Sequence, residues 1–143
     1  ALADIDAARK ELLKQGANPK DMAVIGASIG ANLALHYANE RTEIPAVVMI
    51  SPGIDYKGVG AAEEIVTFGN RPCLLVTSEG DAYSASSCTT FKKAASGLCE
   101  LREYPGSFHG TNVLDSSQAA LKEVLLWLAP ILKPSQQGSP AQG

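Results

Sequence analysis

Two residue types in this chain combine into recognisable chemistry: one serine set between glycines, and two histidines able to serve as a base. Ser28 sits in Met22-Ala23-Val24-Ile25-Gly26-Ala27-Ser28-Ile29-Gly30-Ala31, an apolar run that passes through G-x-S-x-G directly into an Ala/Leu-rich segment. A sharp strand-to-helix turn needs minimal side chains at Gly26 and Gly30 to avoid collisions, and it leaves Ser28 exposed at the tip. There the backbone N–H of Ile29, at the start of the helix, points to where an oxyanion would develop during acyl transfer. The alternative is a glycine-rich turn of a nucleotide-binding fold with Ser28 incidental, but the chain has neither G-x-G-x-x-G nor a phosphate-loop lysine.

A serine hydroxyl needs a base within hydrogen-bond reach. His36 is eight residues beyond Ser28 on the same expected helix, roughly 12 Å along its axis, so it reads as a surface or packing residue. His109 lies in Tyr104-Pro105-Gly106-Ser107-Phe108-His109-Gly110, a loop from which an imidazole can reach the strand ends. The acid that orients such a base should come from a loop at the same sheet edge. Asp81, in Ser78-Glu79-Gly80-Asp81, fits best, with Gly80 letting the chain turn outward; its competing use is as N-cap of the next helix. Asp55 is the rival, and Glu79, next to the strand, is a weaker one.

The elements that position these groups follow from periodicity. Ile5, Ala8, Leu12 and Leu13 recur at helical spacing before Gly16, and Met22–Ile25 is a short apolar strand after the turn Asn18-Pro19-Lys20-Asp21. A helix is expected over Ser28–Glu40, a strand over Ala46–Ser51, a short helix over Ala61–Phe68 and a strand over Cys73–Thr77. A helix over Tyr83–Ser96, a strand over Cys99–Tyr104 and a helix from Ser116 to Leu132 complete the pattern. Strands alternating with helices predict an α/β domain over residues 1–133, a mostly parallel sheet flanked by helices. Residues 134–143 are too polar to join a core and are expected to be disordered.

Composition narrows the function. With 45% hydrophobic and 19% charged residues, the chain has the balance of one ordinary globular domain. A net charge of −3 without long single-sign runs gives no footprint for nucleic acid or anionic lipid. The longest apolar runs, Ala46–Ile50 and Val124–Leu128, fall far short of the roughly 20 residues of a membrane span. Cys73, Cys88 and Cys99 form no C-x-x-C pair and have no neighbouring metal-ligand spacing, so structural thiols and no metal are expected. Ala1 is not a Met and no signal core follows, which reads as a processed chain or a piece of a longer one and leaves the compartment unassigned.

The elbow Gly26–Gly30, Ser78–Asp81 and Gly106–Gly110 together resemble the α/β-hydrolase superfamily, specifically its small bacterial esterase and dienelactone-hydrolase-like branch, over nearly the whole chain to Leu132. The resemblance implies a triad in the order Ser28, Asp81, His109, hydrolysis of small carboxylic esters through an acyl-enzyme, and no cofactor. The nucleophile of dienelactone hydrolases is usually Cys, so Ser28 favours the esterase-like members. The family's elbow follows a fifth strand and its second oxyanion donor follows the third, whereas only 27 residues precede Ser28 here. The chain thus looks like the C-terminal half of a hydrolase, with an open sheet edge that invites a complementing chain or a second copy. A peptidase or acyltransferase on the same triad, and a non-catalytic binding module, are the competing readings. Family lids often follow the strand Ala46–Ser51; the roughly 20 residues before Cys73 leave room for a short helix only, which predicts an open site for small substrates. Tyr56, Tyr83 and Phe108 follow strand ends and line a pocket or cover the core.

Overall fold

The structure is a computed structural model and describes residues 1–132; the expected tail, 134–143, lies outside the described residues. Its elements are α1 (Leu2–Lys14), β1 (Val24–Ala27), α2 (Ile29–Glu40), β2 (Val47–Ile50), β3 (Asp55–Tyr56), β4 (Val59–Gly60), α3 (Ala62–Thr67), β5 (Cys73–Ser78), α4 (Ala82–Ala94), β6 (Cys99–Tyr104), α5 (Asn112–Asp115) and α6 (Gln118–Leu128). The main sheet is parallel throughout, in the order β1-β2-β5-β6, and β3 pairs with β4 in a separate antiparallel hairpin. The expected fold class, a mostly parallel sheet flanked by helices, is the observed one.

Strand alternation divides the core into two layers. Val47, Met49, Cys73 and Leu75 pack with Ala31, Leu35, Ile65, Cys88 and Phe91 from α2, α3 and α4. Val48, Ile50, Leu74 and Val76, one residue out of phase, pack with Val113, Ala120, Val124 and Leu128 from α5 and α6. Every residue of β2 and β5 is buried, as a sheet covered on both faces requires.

β1 pairs only with β2 among the described residues, so one of its edges is unpaired. Ile25, on the α5–α6 side together with Ala27, is 49% exposed, and Leu121, Leu125 and Leu126 of α6 stand in solvent as well. Among the described residues, no helix is long and apolar enough to cross a membrane.

Several expected boundaries move. The first strand is Val24–Ala27 rather than Met22–Ile25, because a 3-10 turn, Pro19–Asp21, capped by the Asn18 side chain, delays the chain and the ladder with β2 runs on through Gly26. The last expected helix, Ser116–Leu132, is shorter at both ends: Ser117 takes extended backbone and caps α6 by accepting from Ala119 N–H, and α6 ends at Leu128, two residues before Pro130, while the short α5 before it was not expected. The β3–β4 hairpin was not expected, since a two-residue strand has no readable periodicity.

The glycines of the elbow also divide differently from expectation. A Cβ on Gly26 would lie 2.0 Å from the Gly30 carbonyl oxygen, whereas one on Gly30 would meet nothing within 4 Å. Crowding therefore falls on Gly26 alone, because the helix turns back over the strand there and Gly30 faces outward. Gly26→Ala is expected to destabilise by about 3 kcal/mol or more through this backbone clash. Gly30→Ala, inside α2, is expected to be neutral or to stabilise by up to about 1 kcal/mol. Urea denaturation of the two variants checks both values.

Candidate active site

The carboxyl ends of β1, β2, β5 and β6 lie at one edge of the sheet, and the site is built where the chain leaves them. Ser28 follows β1 directly. Its φ of 56° and ψ of −129° lie outside the ordinary regions for a side-chain-bearing residue, a strain of order 1–3 kcal/mol held in place by neighbours. Ser28 N–H donates to the Ile50 carbonyl at 2.8 Å and Ala31 N–H to the Ser28 carbonyl at 2.9 Å. Ser28 occupies the N-cap position of α2 but makes no side-chain cap, which leaves its Oγ free to face the loop after β6. Ile29 is the first residue of α2, so its N–H has no acceptor within the helix and is available beside Oγ.

His109 bridges the other two groups. Its Nε2 lies 2.8 Å from Ser28 Oγ and its Nδ1 2.5 Å from Asp81 Oδ2. An ionised carboxylate only accepts, so Nδ1 carries the proton and Nε2 accepts from the serine hydroxyl. Asp81 occupies the N-cap position of α4 without capping it; its carboxylate is committed to the imidazole instead. The rival carboxylates are elsewhere: Asp55 Oδ1 accepts from Gly58 N–H at 2.8 Å within the hairpin turn, and Glu79 is exposed. His36 is remote from this chain, with Nε2 at 2.8 Å from the Gly60 carbonyl and Nδ1 3.4 Å from Glu64.

The loop that presents His109 is pinned on both sides by serines that sequence reasoning gave no role. Ser78 Oγ, buried, donates to the Gly106 carbonyl at 2.5 Å and accepts from Phe108 N–H at 3.2 Å. Ser51 Oγ, also buried, accepts from Gly110 N–H at 2.9 Å. Both serines stand at the C-terminal end of a buried apolar strand, and a polar residue in that position is the available signal. Gly80 matters through close approach rather than by turning the chain outward, because a Cβ there would lie 2.1 Å from Ser107 Oγ and 2.8 Å from the Gly106 carbonyl. Gly80 N–H meanwhile donates to that carbonyl at 2.8 Å, so the Asp81 and His109 loops are locked together.

Of the three aromatics expected near the strand ends, Tyr56 is the one at the site. Its ring lies edge-on to His109 with centroids 6.2 Å apart, while Tyr83, half exposed, packs on Tyr56 rather than on the imidazole, and Phe108 is half exposed beside His109 in the same loop. Burial lifts the Tyr56 phenol above its ordinary value, so it is neutral at pH 7, an effect offset mainly by the Ser84 hydroxyl and more weakly by that of Ser28. The cysteines lie apart from the site: Cys73 and Cys88 are buried, and burial pushes the Cys88 thiol up to about 12. Among the described residues, no group of three or more His, Cys, Asp or Glu side chains is placed to hold a metal ion.

No family model and no curated protein matches the sequence. Solved structures do match in fold. An esterase domain from a Rhodothermus marinus protein superposes with a TM-score of 0.66 at 19% identity, covering 87% of this chain and 67% of that one. The thermostable carboxylesterase EstE1, cloned from a metagenomic library, gives 0.67 at 17% identity over 93% of this chain and 62% of its own. Arabidopsis thaliana SOBER1 gives 0.63 at 20% identity over 92% and 63%. The chain therefore spans about two thirds of the length of these proteins, and the likeness establishes that it has the α/β fold they share: a parallel sheet flanked by helices.

Proposed function

We propose that this chain is a serine hydrolase that cleaves carboxylic esters or related small acyl compounds through an acyl-enzyme. The observation that carries the reading is the unbroken hydrogen-bonded chain from Asp81 through His109 to Ser28. The esterases and carboxylesterase among the structurally similar proteins support it. Serine at position 28 favours esterase-like chemistry over that of the dienelactone hydrolases.

In this mechanism Ser28 Oγ attacks the acyl carbonyl as its proton passes to His109 Nε2. Asp81 holds the imidazole in the tautomer that can accept that proton and stabilises the resulting imidazolium. The carbonyl oxygen, now an oxyanion, takes a hydrogen bond from Ile29 N–H, and the dipole of α2 favours the charge. Collapse of the intermediate expels the alcohol, which takes the proton from Nε2; water then repeats the sequence on the acyl-enzyme and releases the acid. Residues 1–133 form the α/β-hydrolase-like unit in this reading. Further polypeptide, a complementing chain or a second copy, pairs with the open edge of β1 and supplies a second oxyanion donor.

A fluorophosphonate probe is expected to label the 143-residue chain at Ser28, located by mass spectrometry. Labelling should vanish in Ser28→Ala and fall by about 10⁴-fold in rate in His109→Ala and Asp81→Asn, since the triad members act as a unit. A folded chain that the probe leaves unmodified would sink the reading of these 143 residues as an active hydrolase and leave an inactive half or a non-catalytic binding module. With the segment 52–72 occupied by a hairpin and a six-residue helix rather than a lid, p-nitrophenyl acetate and butyrate should be turned over faster than long-chain esters. A preference for long acyl chains contradicts the open small-substrate site.

A further inference from the structure

The hairpin β3–β4 is too short to be stable by its own ladder, since an isolated pair of two-residue strands holds only a few backbone bonds. Side chains of α2 and α4 hold it instead. Asn32, fully buried, donates through Nδ2 to the carbonyls of Gly53 at 2.8 Å and Val59 at 2.7 Å, and accepts from Gly53 N–H at 3.3 Å. Ser87 Oγ accepts from Ile54 N–H at 3.1 Å, and the Tyr83 hydroxyl donates to the Asp55 carbonyl at 2.8 Å. Neither Asn32 nor Ser87 hydrogen-bonds to Ser28, His109 or Asp81; they hold the hairpin and its lead-in at Gly53 and Ile54, and Ser87 Oγ also donates to the Tyr83 carbonyl at 2.7 Å.

What the hairpin fixes is Tyr56. Its ring packs edge-on against both His109 and Tyr83, the latter at 5.6 Å between centroids, and Gly53 lies so close beneath that a Cβ there would collide with both tyrosine rings. Its hydroxyl donates to the Ser51 carbonyl at 3.1 Å and lies 3.2 Å from Ser84 Oγ. Ser51 is the residue that anchors the His109 loop: φ is 49°, its N–H donates to the Val76 carbonyl at 2.7 Å, and its Oγ accepts from Gly110 N–H. His109 itself has a side chain 46% exposed, so little else on its solvent side restrains the ring.

We infer that Tyr56 is a positioning residue for His109: its ring walls the imidazole into the orientation that faces Ser28, and its hydroxyl steadies the Ser51 backbone from which the His109 loop is held. The inference rests on the Ser28–His109 reading above and deepens it. Rotation of the imidazole breaks both of its hydrogen bonds at once, and misplacement of a catalytic group by about 1 Å costs about 10²-fold in rate. The effect of Tyr56 should therefore fall on the chemical step and not on ligand binding.

The test is fluorophosphonate inactivation of the full chain, with kinact and KI measured for wild type, Tyr56→Leu, Tyr56→Phe and Ser51→Ala, and folding checked by circular dichroism. Tyr56→Leu is expected to lower kinact by about tenfold or more with KI within about twofold, and Tyr56→Phe, which keeps the ring, to restore all but a few-fold of the loss. Ser51→Ala keeps both the ring and its hydroxyl contact, and it should lower kinact a few-fold through the freed Gly110 N–H. A wild-type kinact in Tyr56→Leu, or a change confined to KI, overturns the inference and makes Tyr56 a wall of the ligand site only. Should Tyr56→Leu fail to fold, Tyr56→Met, whose flexible side chain fills the space without walling the imidazole, takes its place, and a wild-type kinact there overturns the inference equally. A wild-type chain that is not labelled at all overturns the hydrolase reading, and this inference with it.

Discussion

The last rung of the parallel ladder governs this site. The residue after β1 still donates to the neighbouring strand, Ser28 N–H to Ile50, and the residue after β2 does the same, Ser51 N–H to Val76; Glu79, after β5, donates to Tyr104. Each loop therefore departs at a position set by its neighbour's carbonyl, and the register aligns Ala27, Ile50 and Val76 at one level across the sheet. A hydrogen bond is lost within a few tenths of an ångström or a few tens of degrees. Both nitrogens of His109 are engaged by groups from different loops, which is possible only because the ladder positions those loops jointly.

The same rung holds the strain. Ser28 and Ser51 have positive φ, and each is fixed by a short ladder bond on one side and a side-chain or helix contact on the other. Neither conformation would persist in an isolated loop, because each costs more than a single exposed hydrogen bond returns. The two fully covered strands, β2 and β5, supply the rigidity, and their alternating residues tie both helical layers to one sheet.

The open side of the sheet contrasts with this rigidity. β1 bears the serine, yet it is an edge strand among the described residues, with Ile25 exposed beside it and α6 presenting three leucines to solvent. Edge strands in natural proteins are usually blunted by charge, proline or a covering element. The four residues of β1, Val-Ile-Gly-Ala, offer no charge and no proline. This chain matches 67% and 62% of two solved proteins of the same fold, so about a third of each lies outside the match.

Much of this was legible in the residues. Short apolar runs identify β1, β2 and β5, alternation identifies β6, and G-x-S-x-G between a strand and a helix identifies the elbow, because all depend on local sterics and periodicity. The chain order Ser28, Asp81, His109 follows from the same local reading. At that level Asp81 is preferred to Asp55 although both follow strand ends, and the tertiary structure separates them physically, committing Asp55 to Gly58 N–H and Asp81 to His109. The β3–β4 hairpin, the pinning serines Ser51 and Ser78, and the place of Tyr56 were decided in the same way. Each depends on a contact between side chain and backbone across more than two dozen residues or on a pair of strands too short to have a period, and neither leaves a pattern along the chain.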